Sequence, residues 1–267
     1  MDIHLITSDE TSFDLINNVR CKINITCVIV PENRIKTEKV ARVIEHAKER
    51  SIPVRIHQLR SYFVDPLPSA SAAISWLYSQ IIRSKDLARY TTGILNMHGG
   101  KIPDYRGASV LHWSIINGEV ELGVTWHKMV KEVDAGPIIS ENTIPIRSDA
   151  TAWEMRQYLI DKAIEMFPEA WQRFINNYEG RTPDLKQGQI WHQRKPSDSL
   201  IKDGWTEKMV KDLIRAMCPP WPRAYVEIEE KRFEIEKVLN VPQPDTLSYL
   251  TADGNTIYLK KVIPDLL

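Results

Sequence analysis

The chain has 267 residues and a mass of 30.8 kDa, enough for one large domain or two modest ones. Hydrophobic residues make up 43% of it and charged residues 26%, an ordinary globular composition that excludes intrinsic disorder. Lys and Arg together number 35, as do Asp and Glu, so the formal net charge is zero. A broad surface for nucleic-acid phosphates is therefore not expected.

The beginning of the chain and its cysteines favour a cytoplasmic protein. Asp2 stands where a signal peptide would have basic residues, and the apolar run over residues 3–6 is too short for one. The longest uncharged run, residues 66–82, contains two prolines and falls short of a membrane span. The cysteines lack the spacing of a zinc site, and we expect three buried thiols in a reducing compartment: Cys21, Cys27 and Cys218.

The first half of the chain alternates short apolar runs with helical patterns, which is typical of a sheet built from βαβ units. The apolar runs predict strands over residues 3–6, 25–30, 72–76, 93–98 and 124–129. Helical spacing of apolar side chains predicts helices over residues 35–50 and 110–117. We therefore predict an α/β fold with a Rossmann-like, doubly wound and mostly parallel sheet.

The second half begins with a long helix and ends in a β-rich segment. Thr151 and Glu154 form a capping-box pattern, and the helix they open should run towards Phe167, where Pro168 would kink or restart it. A further helix is predicted over residues 206–217, followed by short strands over residues 224–228, 232–236, 247–251 and 256–262. We expect a first domain over residues 1–180, and over residues 181–267 a linker helix with a small β-rich domain.

Two polar residues mark the end of the strand predicted over residues 93–98. Asn96 and His98 are two positions apart, so their side chains point to the same face of the sheet. In open α/β sheets, ligands bind at the carboxyl ends of the strands. The following Gly99 and Gly100 permit a close approach of backbone or substrate. Taken locally, the pair is either catalytic or a satisfied polar pair in the interior.

Asp134 lies in a turn, and the local sequence alone favours a residue that bonds its own backbone over a catalytic acid. His112 and His127 are the other histidines near in sequence, and with His98 and Asp134 they would allow a two-histidine, one-carboxylate metal centre. No pair of ligands has the i, i+4 spacing of a helical metal site, so we expect no metal. His112 is assigned to a helix face and His127 to a strand.

The order of these motifs is similar to that of a known family. The motifs are Asn96-Met97-His98, then residues 103–107, 117–119 and 123–125, and Asp134-Ala135-Gly136. They resemble the formyltransferases that use N10-formyltetrahydrofolate, which include methionyl-tRNA formyltransferase, glycinamide ribonucleotide transformylase and the sugar N-formyltransferases. The linker and C-terminal subdomain of the domain that formylates UDP-4-amino-4-deoxy-L-arabinose are similar to residues 194–198, 215–217 and 220–224. The resemblance covers residues 95–235.

The chain departs from the family pattern at two places, and the first of them bears on the expected branch. The family often has His-Pro-Ser-Leu-Leu-Pro at its catalytic histidine, whereas here His98 is followed by Gly99-Gly100-Lys101-Ile102-Pro103. The His-Gly-Gly form resembles the motif found in enzymes similar to the sugar N-formyltransferases, which favours that branch. Arg223 replaces the glycine that is common in Pro-Trp-Pro-Gly-Ala, which would change a turn in the second domain without touching catalysis.

The resemblance implies a site in which Asn96, His98 and Asp134 are catalytic. Asn96 would donate a hydrogen bond to an oxyanion, His98 would exchange protons near neutral pH, and Asp134 would orient His98 or pass a proton through water. The formyl donor, N10-formyltetrahydrofolate, is expected along two segments that contribute Trp76, Leu77, Tyr78, Val130, Lys131 and Val133. The expected donors to the diphosphate of a nucleotide sugar are Ser8, Tyr105 and Arg106.

We therefore expect transfer of a formyl group to the amine of a nucleotide-linked amino sugar, an NDP-4-amino-4,6-dideoxyhexose, for surface polysaccharide (O-antigen) synthesis. The expected enzyme is cytoplasmic and a homodimer through its C-terminal strands, acting on a small molecule and on no nucleic acid or membrane. Three alternatives stay open. A methionyl-tRNA formyltransferase would need a basic surface, a formyltetrahydrofolate hydrolase would release formate, and a ligand-binding protein would show no turnover.

Overall fold

The structure, a computed structural model, describes residues 1–17 and 23–262. The chain divides into two compact units, each assembled from three segments. Unit 1 comprises Met1–Arg106, Gly123–Thr143 and Ile160–Gln189, and unit 2 comprises Gly107–Leu122, Ile144–Leu159 and Ile190–Leu267. The expected division into one domain over residues 1–180 and another over residues 181–267 remains a prediction.

The described residues form thirteen strands and six α-helices. The strands are β1 (Asp2–Thr7), β2 (Asn24–Pro31), β3 (Val54–His57), β4 (Ala72–Trp76), β5 (Gly93–His98), β6 (Tyr105–Gly107), β7 (Glu121–Lys128), β8 (Ile138–Pro145), β9 (Gln189–Trp191), β10 (Tyr225–Ile228), β11 (Lys231–Leu239), β12 (Thr246–Leu250) and β13 (Thr256–Lys261). The helices are α1 (Ser12–Asn17), α2 (Glu38–Glu49), α3 (Ser84–Leu87), α4 (Val110–Ile116), α5 (Ala152–Ile175) and α6 (Glu207–Ala216).

A seven-stranded sheet has the order β3-β2-β1-β4-β5-β7-β8. The strands from β3 to β5 are parallel, and β7 runs antiparallel to β5. The order reverses at β1, which has β2 on one side and β4 on the other, so the carboxyl ends of β1 and β4 form the kind of crevice where such sheets bind ligands. The five predicted strands and the mostly parallel, doubly wound sheet are confirmed.

Two strands of this sheet lacked a clear signal in the sequence. β3 has four residues, of which only His57 is buried, and β8 is polar and exposed over much of its length. Both are edge strands, so neither needs the apolar run that marks a strand buried on both faces.

The long helix α5 begins as the capping box predicts. The Thr151 backbone N–H donates to Glu154 Oε2 at 2.8 Å, and the Glu154 N–H donates to Thr151 Oγ1 at 3.3 Å. Of the two effects expected of Pro168, a kink stays a prediction and a restart of the helix is excluded, because α5 continues through this proline to Ile175. Its buried face beyond the proline, formed by Ala170, Trp171 and Phe174, packs into the interior and holds the helix together.

Unit 2 contains a four-stranded antiparallel sheet with the order β10-β11-β13-β12, which confirms the β-rich C-terminal segment. Helix α6 contacts both α4 and β11. Thr206 caps α6, and the helix buries its apolar side at helical spacing. The core of unit 2 is formed by Ile201, Val210, Leu213, Ile214, Met217, Ala224, Val226, Ile235, Ile257 and Leu259.

The cysteines fit the expectation in part. Cys27 is a buried free thiol, and burial raises its pKa to about 11. Cys218 is only partly buried, contrary to expectation, because it lies in the turn after α6 and not on the buried face of an element. Cys21 lies outside the described residues. None of the helices in the described ranges is both long and apolar enough to cross a lipid bilayer.

Candidate active site

The candidate site forms where β5 pairs with β7. Asn96 and His98 are the fourth and last residues of a strand buried almost throughout, and their side chains are on one face. The antiparallel register places His127 opposite Asn96 and Thr125 opposite His98. Because directly opposite residues of paired strands are close neighbours, four polar side chains meet on this face.

Asn96 and His127 form a direct hydrogen bond. Asn96 Nδ2 lies 2.9 Å from His127 Nε2, and His127 Nδ1 lies 3.3 Å from the Lys128 carbonyl oxygen. Both side chains are buried, His127 with only 1% of its surface exposed. Since a carbonyl oxygen only accepts, the proton of His127 is on Nδ1, and its bare Nε2 accepts from the Asn96 amide.

His98 is held between a carbonyl group and a carboxylate. Its Nε2 lies 2.5 Å from the Tyr105 carbonyl oxygen, and its Nδ1 lies 3.4 Å from Asp134 Oδ2. The carbonyl fixes a proton on Nε2. Nδ1 is therefore the atom of His98 that exchanges a proton, and the Asp134 carboxylate faces it at the distance of an ion pair.

Asp134 reaches both histidines from a tight turn after β7. Its Oδ1 lies 3.4 Å from His127 Nε2, and 13% of its side chain is exposed. The backbone of Asp134 has a φ of 45°, in the left-handed region that Asp adopts more readily than most residues. A Cβ atom at Gly136 would come within 1.7 Å of the Lys128 carbonyl oxygen, so the turn packs directly on β7 and requires glycine.

The loop after β5 is equally close-packed. A Cβ atom at Gly100 would lie 2.4 Å from the Tyr105 carbonyl oxygen and 2.8 Å from His98 Nε2. Thr125 Oγ1 donates to the Gly100 carbonyl oxygen at 2.9 Å. Gly100 therefore permits the close contact between the Tyr105 carbonyl oxygen and His98 Nε2, which fixes the His98 proton. The sequence predicts a close approach of this kind at Gly99 and Gly100.

The predicted donor-binding segments follow β4 and β7. The side chain of Trp76 is fully buried, stacks on Trp126 and donates to Thr11 Oγ1 at 2.9 Å, while the Tyr78 hydroxyl lies 2.7 Å from His57 Nδ1. Leu77, between them, has a φ of 47°. The side chains of Trp76 and Tyr78 are thus committed to the interior, which leaves the backbone to contact a ligand. On the second segment, Val130 and Lys131 are exposed and Val133 is half-buried.

The three predicted phosphate ligands lie in unit 1 and are all buried. Ser8 follows β1, and its hydroxyl has no hydrogen-bond partner within the described residues. Arg106 Nε has none within that same part of the chain. Tyr105 supplies its carbonyl group to His98 and leaves its side chain in the interior.

His127 is a site residue that the sequence did not predict, because its position indicated only a strand. Its signal was indirect, since it depends on β7 pairing antiparallel with β5 in a particular register. His112 takes no part in this cluster and lies in unit 2 on α4, against Trp221. Among the described residues, no group of three or more His, Cys, Asp or Glu side chains is placed to hold a metal ion.

The arrangement fits acyl transfer to an amine. An oriented amide N–H can stabilise an oxyanion, and a histidine with a carboxylate partner can move a proton at neutral pH. Both groups are buried beside the carboxyl end of a parallel strand, where α/β enzymes place their sites. Fold and site together define a two-unit α/β enzyme of the transferase class.

Comparison with known proteins identifies the family. A family model described as formyl transferase matches residues 26–171, more than half of the chain. The chain belongs to the formyl transferase family, and the resemblance inferred from its motifs is confirmed.

Solved structures share the fold over nearly the whole chain. An N-formyltransferase from Helicobacter canadensis, in complex with folinic acid and dTDP-3-aminofucose, is 20% identical with a TM-score of 0.74, and the match covers 98% of this chain and 99% of that one. The sugar 3N-formyl transferase WlaRD, studied with dTDP and 5-N-formyl-THF, is 20% identical with a TM-score of 0.73 and 98% of each chain covered. Methionyl-tRNA formyltransferase from Clostridium thermocellum is 16% identical with a TM-score of 0.61, over 98% and 99%.

Proposed function

We propose that this enzyme transfers the formyl group of N10-formyltetrahydrofolate to the amino group of a nucleotide-linked amino sugar. The observation that carries the proposal is the buried contact between Asn96, His98, His127 and Asp134 at the end of β5. The N-formyltransferase described with folinic acid and dTDP-3-aminofucose shares the fold from end to end and supports this choice of substrates.

Asn96 is assigned to the oxyanion. One N–H of its amide is bonded to His127, which leaves the other N–H for the formyl oxygen as negative charge develops there. The amide is already oriented and buried, so it gains strength from the low dielectric and loses no freedom during the reaction.

His98 and Asp134 are assigned to proton movement. As the new C–N bond forms, the amine of the sugar must lose a proton, and as the bond from the formyl carbon to N10 breaks, N10 must gain one. The Nδ1 atom of His98 is the group that can take and return this proton, because Nε2 stays bonded to the Tyr105 carbonyl. Asp134 stabilises the charged imidazole and fixes the direction of Nδ1.

The folate would lie along the backbone after β4, at residues Trp76, Leu77 and Tyr78, and along Val130, Lys131 and Val133. The nucleotide diphosphate would be held by Ser8, Tyr105 and Arg106. The unpaired Ser8 hydroxyl and Arg106 Nε favour this assignment, since buried polar groups without partners are costly and a bound phosphate would satisfy both.

The test is a formyl-transfer assay on a panel of dTDP-, GDP- and UDP-linked sugars with the amine at C3 or at C4. The sequence favours a 4-amino-4,6-dideoxyhexose, whereas the two sugar enzymes of similar fold are described with a 3-amino sugar or as 3N-formyl transferases. Product is detected by its gain of one formyl group in mass. Turnover of one sugar, lost in His98→Ala and Asp134→Ala, is the expected result.

Three other outcomes would contradict the proposal. Formate released at the same rate with or without any sugar would indicate a hydrolase, and formylation of charged initiator tRNA alone would indicate a methionyl-tRNA formyltransferase. Binding of folate or nucleotide that survives His98→Ala, with no turnover, would indicate a ligand-binding protein.

Four further parts of the proposal concern the whole enzyme: its location, its oligomeric state, its independence of metal and its biological role. We expect a cytoplasmic homodimer that joins through its C-terminal strands, acts without metal and serves surface polysaccharide synthesis. The four-stranded sheet of β10 to β13 would supply the surface for the dimer. Light scattering at micromolar concentration should give twice the mass of one chain, and a mass of 30.8 kDa would overturn this part alone.

A further inference from the structure

His127 lies between Asn96 and Asp134, and its protonation decides with which of the two it forms a hydrogen bond. Its Nε2 lies 2.9 Å from Asn96 Nδ2 and 3.4 Å from Asp134 Oδ1. A bare Nε2 can accept from the amide, whereas a protonated Nε2 can only donate, and the carboxylate is then its partner. One atom therefore has two alternative hydrogen bonds, and its proton selects between them.

The backbone selects the first alternative. The Lys128 carbonyl oxygen, 3.3 Å from Nδ1, accepts the ring proton and leaves Nε2 bare in the neutral ring. The side chain is 1% exposed and follows the rigid register of β7 against β5, so the ring has no solvent-facing arrangement to adopt. The ring of His98 lies 6.3 Å away between centroids and is nearly perpendicular to it.

We infer that His127 is a positioning residue: its neutral form, protonated on Nδ1, orients the Asn96 amide for the formyl oxygen. The inference rests on the proposed function of Asn96. An asparagine side chain can rotate by half a turn and exchange its oxygen and nitrogen at little cost. With a bare Nε2 opposite it, only the orientation that directs NH₂ towards His127 forms a hydrogen bond, and the second N–H then has a fixed direction.

Protonation of His127 would remove this orientation. The imidazolium would donate from Nε2 to Asp134 Oδ1, the amide would lose its acceptor, and Asp134 would interact with two rings. Among the described residues, the titratable groups His98 and Asp134 lie close to His127.

Kinetics of two variants test the inference. His127→Leu removes the acceptor and should lower kcat by at least about tenfold, up to the roughly 100–1000-fold expected for loss of an oxyanion donor, with KM for the sugar nucleotide unchanged. His127→Gln can still offer an oxygen to the amide and should recover most of that loss. A purely structural role predicts no advantage of Gln over Leu, which would overturn the inference.

A double-mutant cycle with Asn96 provides the second test. If His127 acts through Asn96, Asn96→Ala and the double variant Asn96→Ala/His127→Leu should have the same kcat. The matched control is Thr125→Val, which alters a buried residue of β7 two positions away, and its effect should multiply with that of Asn96→Ala. Multiplying effects for His127→Leu would contradict the inference.

A spectroscopic measurement separates this inference from the proposed function. Nitrogen NMR of the wild-type enzyme, with His127 assigned through His127→Gln, should show a ring protonated on Nδ1 and bare on Nε2 at neutral pH. A proton on Nε2 would overturn the inference even with an active enzyme. Failure of every sugar in the panel would overturn the proposed function and leave this measurement valid.

Discussion

At the scale of single residues, Asn96 has the sharpest expected effect on catalysis. Asn96→Ala removes the oriented donor and should lower kcat/KM about 100–1000-fold, which corresponds to roughly 2.7–4 kcal/mol of transition-state stabilisation. Asn96→Asp should be no better, since a carboxylate cannot donate to an oxyanion. Steady-state formyl transfer measures both variants. A loss below about tenfold in Asn96→Ala would show that another group holds the formyl oxygen.

His112 should make the free energy of unfolding depend on pH. Burial lowers its pKa to about 3, and the positive charge of Arg194 adds to the effect. Between its ordinary pKa of 6.5 and that value, the unfolded chain binds a proton that the folded chain does not. The free energy of unfolding should therefore fall as the pH drops from 6.5 towards 4.

The measurement for His112 is urea unfolding of wild type and His112→Gln at several pH values in this range. The variant should lose less stability on acidification than the wild type. His4 also has a pKa lowered by burial and contributes the same trend to both proteins, so it cancels in the difference. Parallel curves for the two proteins would contradict the expected behaviour of His112.

At the scale of elements, the turn after β7 depends on Gly136. A Cβ atom there would overlap the Lys128 carbonyl, so Gly136→Ala must displace the backbone that carries Asp134. We expect a loss of about 1–3 kcal/mol in stability together with loss of most activity.

The control for Gly136 is Gly254→Ala. Gly254 also has a positive φ, of 81°, but nothing lies within 4 Å of a Cβ atom there. This variant should lose about 1 kcal/mol of stability from backbone strain and keep its activity. Chemical denaturation and the formyl-transfer assay separate the two effects, and an active Gly136→Ala enzyme would show that Asp134 tolerates a displaced turn.

The capping box makes the beginning of α5 sensitive to pH. Thr151→Ala should cost about 1 kcal/mol of stability at pH 7, whereas Thr182→Ala, at an exposed loop position, should change stability by less than about 0.5 kcal/mol. Hydrogen bonds from the backbone and hydroxyl of Thr151 lower the pKa of Glu154 below its usual 4.5. Its contribution is therefore complete above pH 4.5 and is lost as the pH falls through the lowered value.

Glu154→Gln tests this sign. The difference in unfolding free energy between wild type and variant, measured by denaturant titration, should be present at pH 7 and decrease as the pH falls below 4.5. A difference that grows on acidification would show that Glu154 is stabilised in its protonated form, contrary to the contacts in the structure.

At the scale of the whole molecule, the charge balance separates the candidate functions. With 35 basic and 35 acidic residues, the chain should bind tRNA only in the non-specific range, with Kd of about 10⁻⁴–10⁻⁶ M at physiological salt. Filter binding over a range of salt concentrations measures this. Nanomolar affinity with a steep salt dependence would favour the methionyl-tRNA formyltransferase alternative, whose fold this chain also shares.

The amino-acid sequence alone determined the elements with strong local causes. Buried strands such as β1, β2, β4 and β5 follow from apolar runs, α5 begins where its capping box lies, and period 2 places Asn96 and His98 on one face. The order of motifs around these residues also indicated the family, which the match over residues 26–171 confirms.

Only the tertiary structure decided which side chains meet. His127 enters the site through the register of β7 against β5, and Asp134 through a turn that a glycine allows to pack on that strand. Helix α5 passes Pro168 because its buried face outweighs the local penalty of proline. Each of these outcomes depends on contacts between residues distant in sequence, whose free energies exceed local preferences and leave no mark on a short stretch of chain.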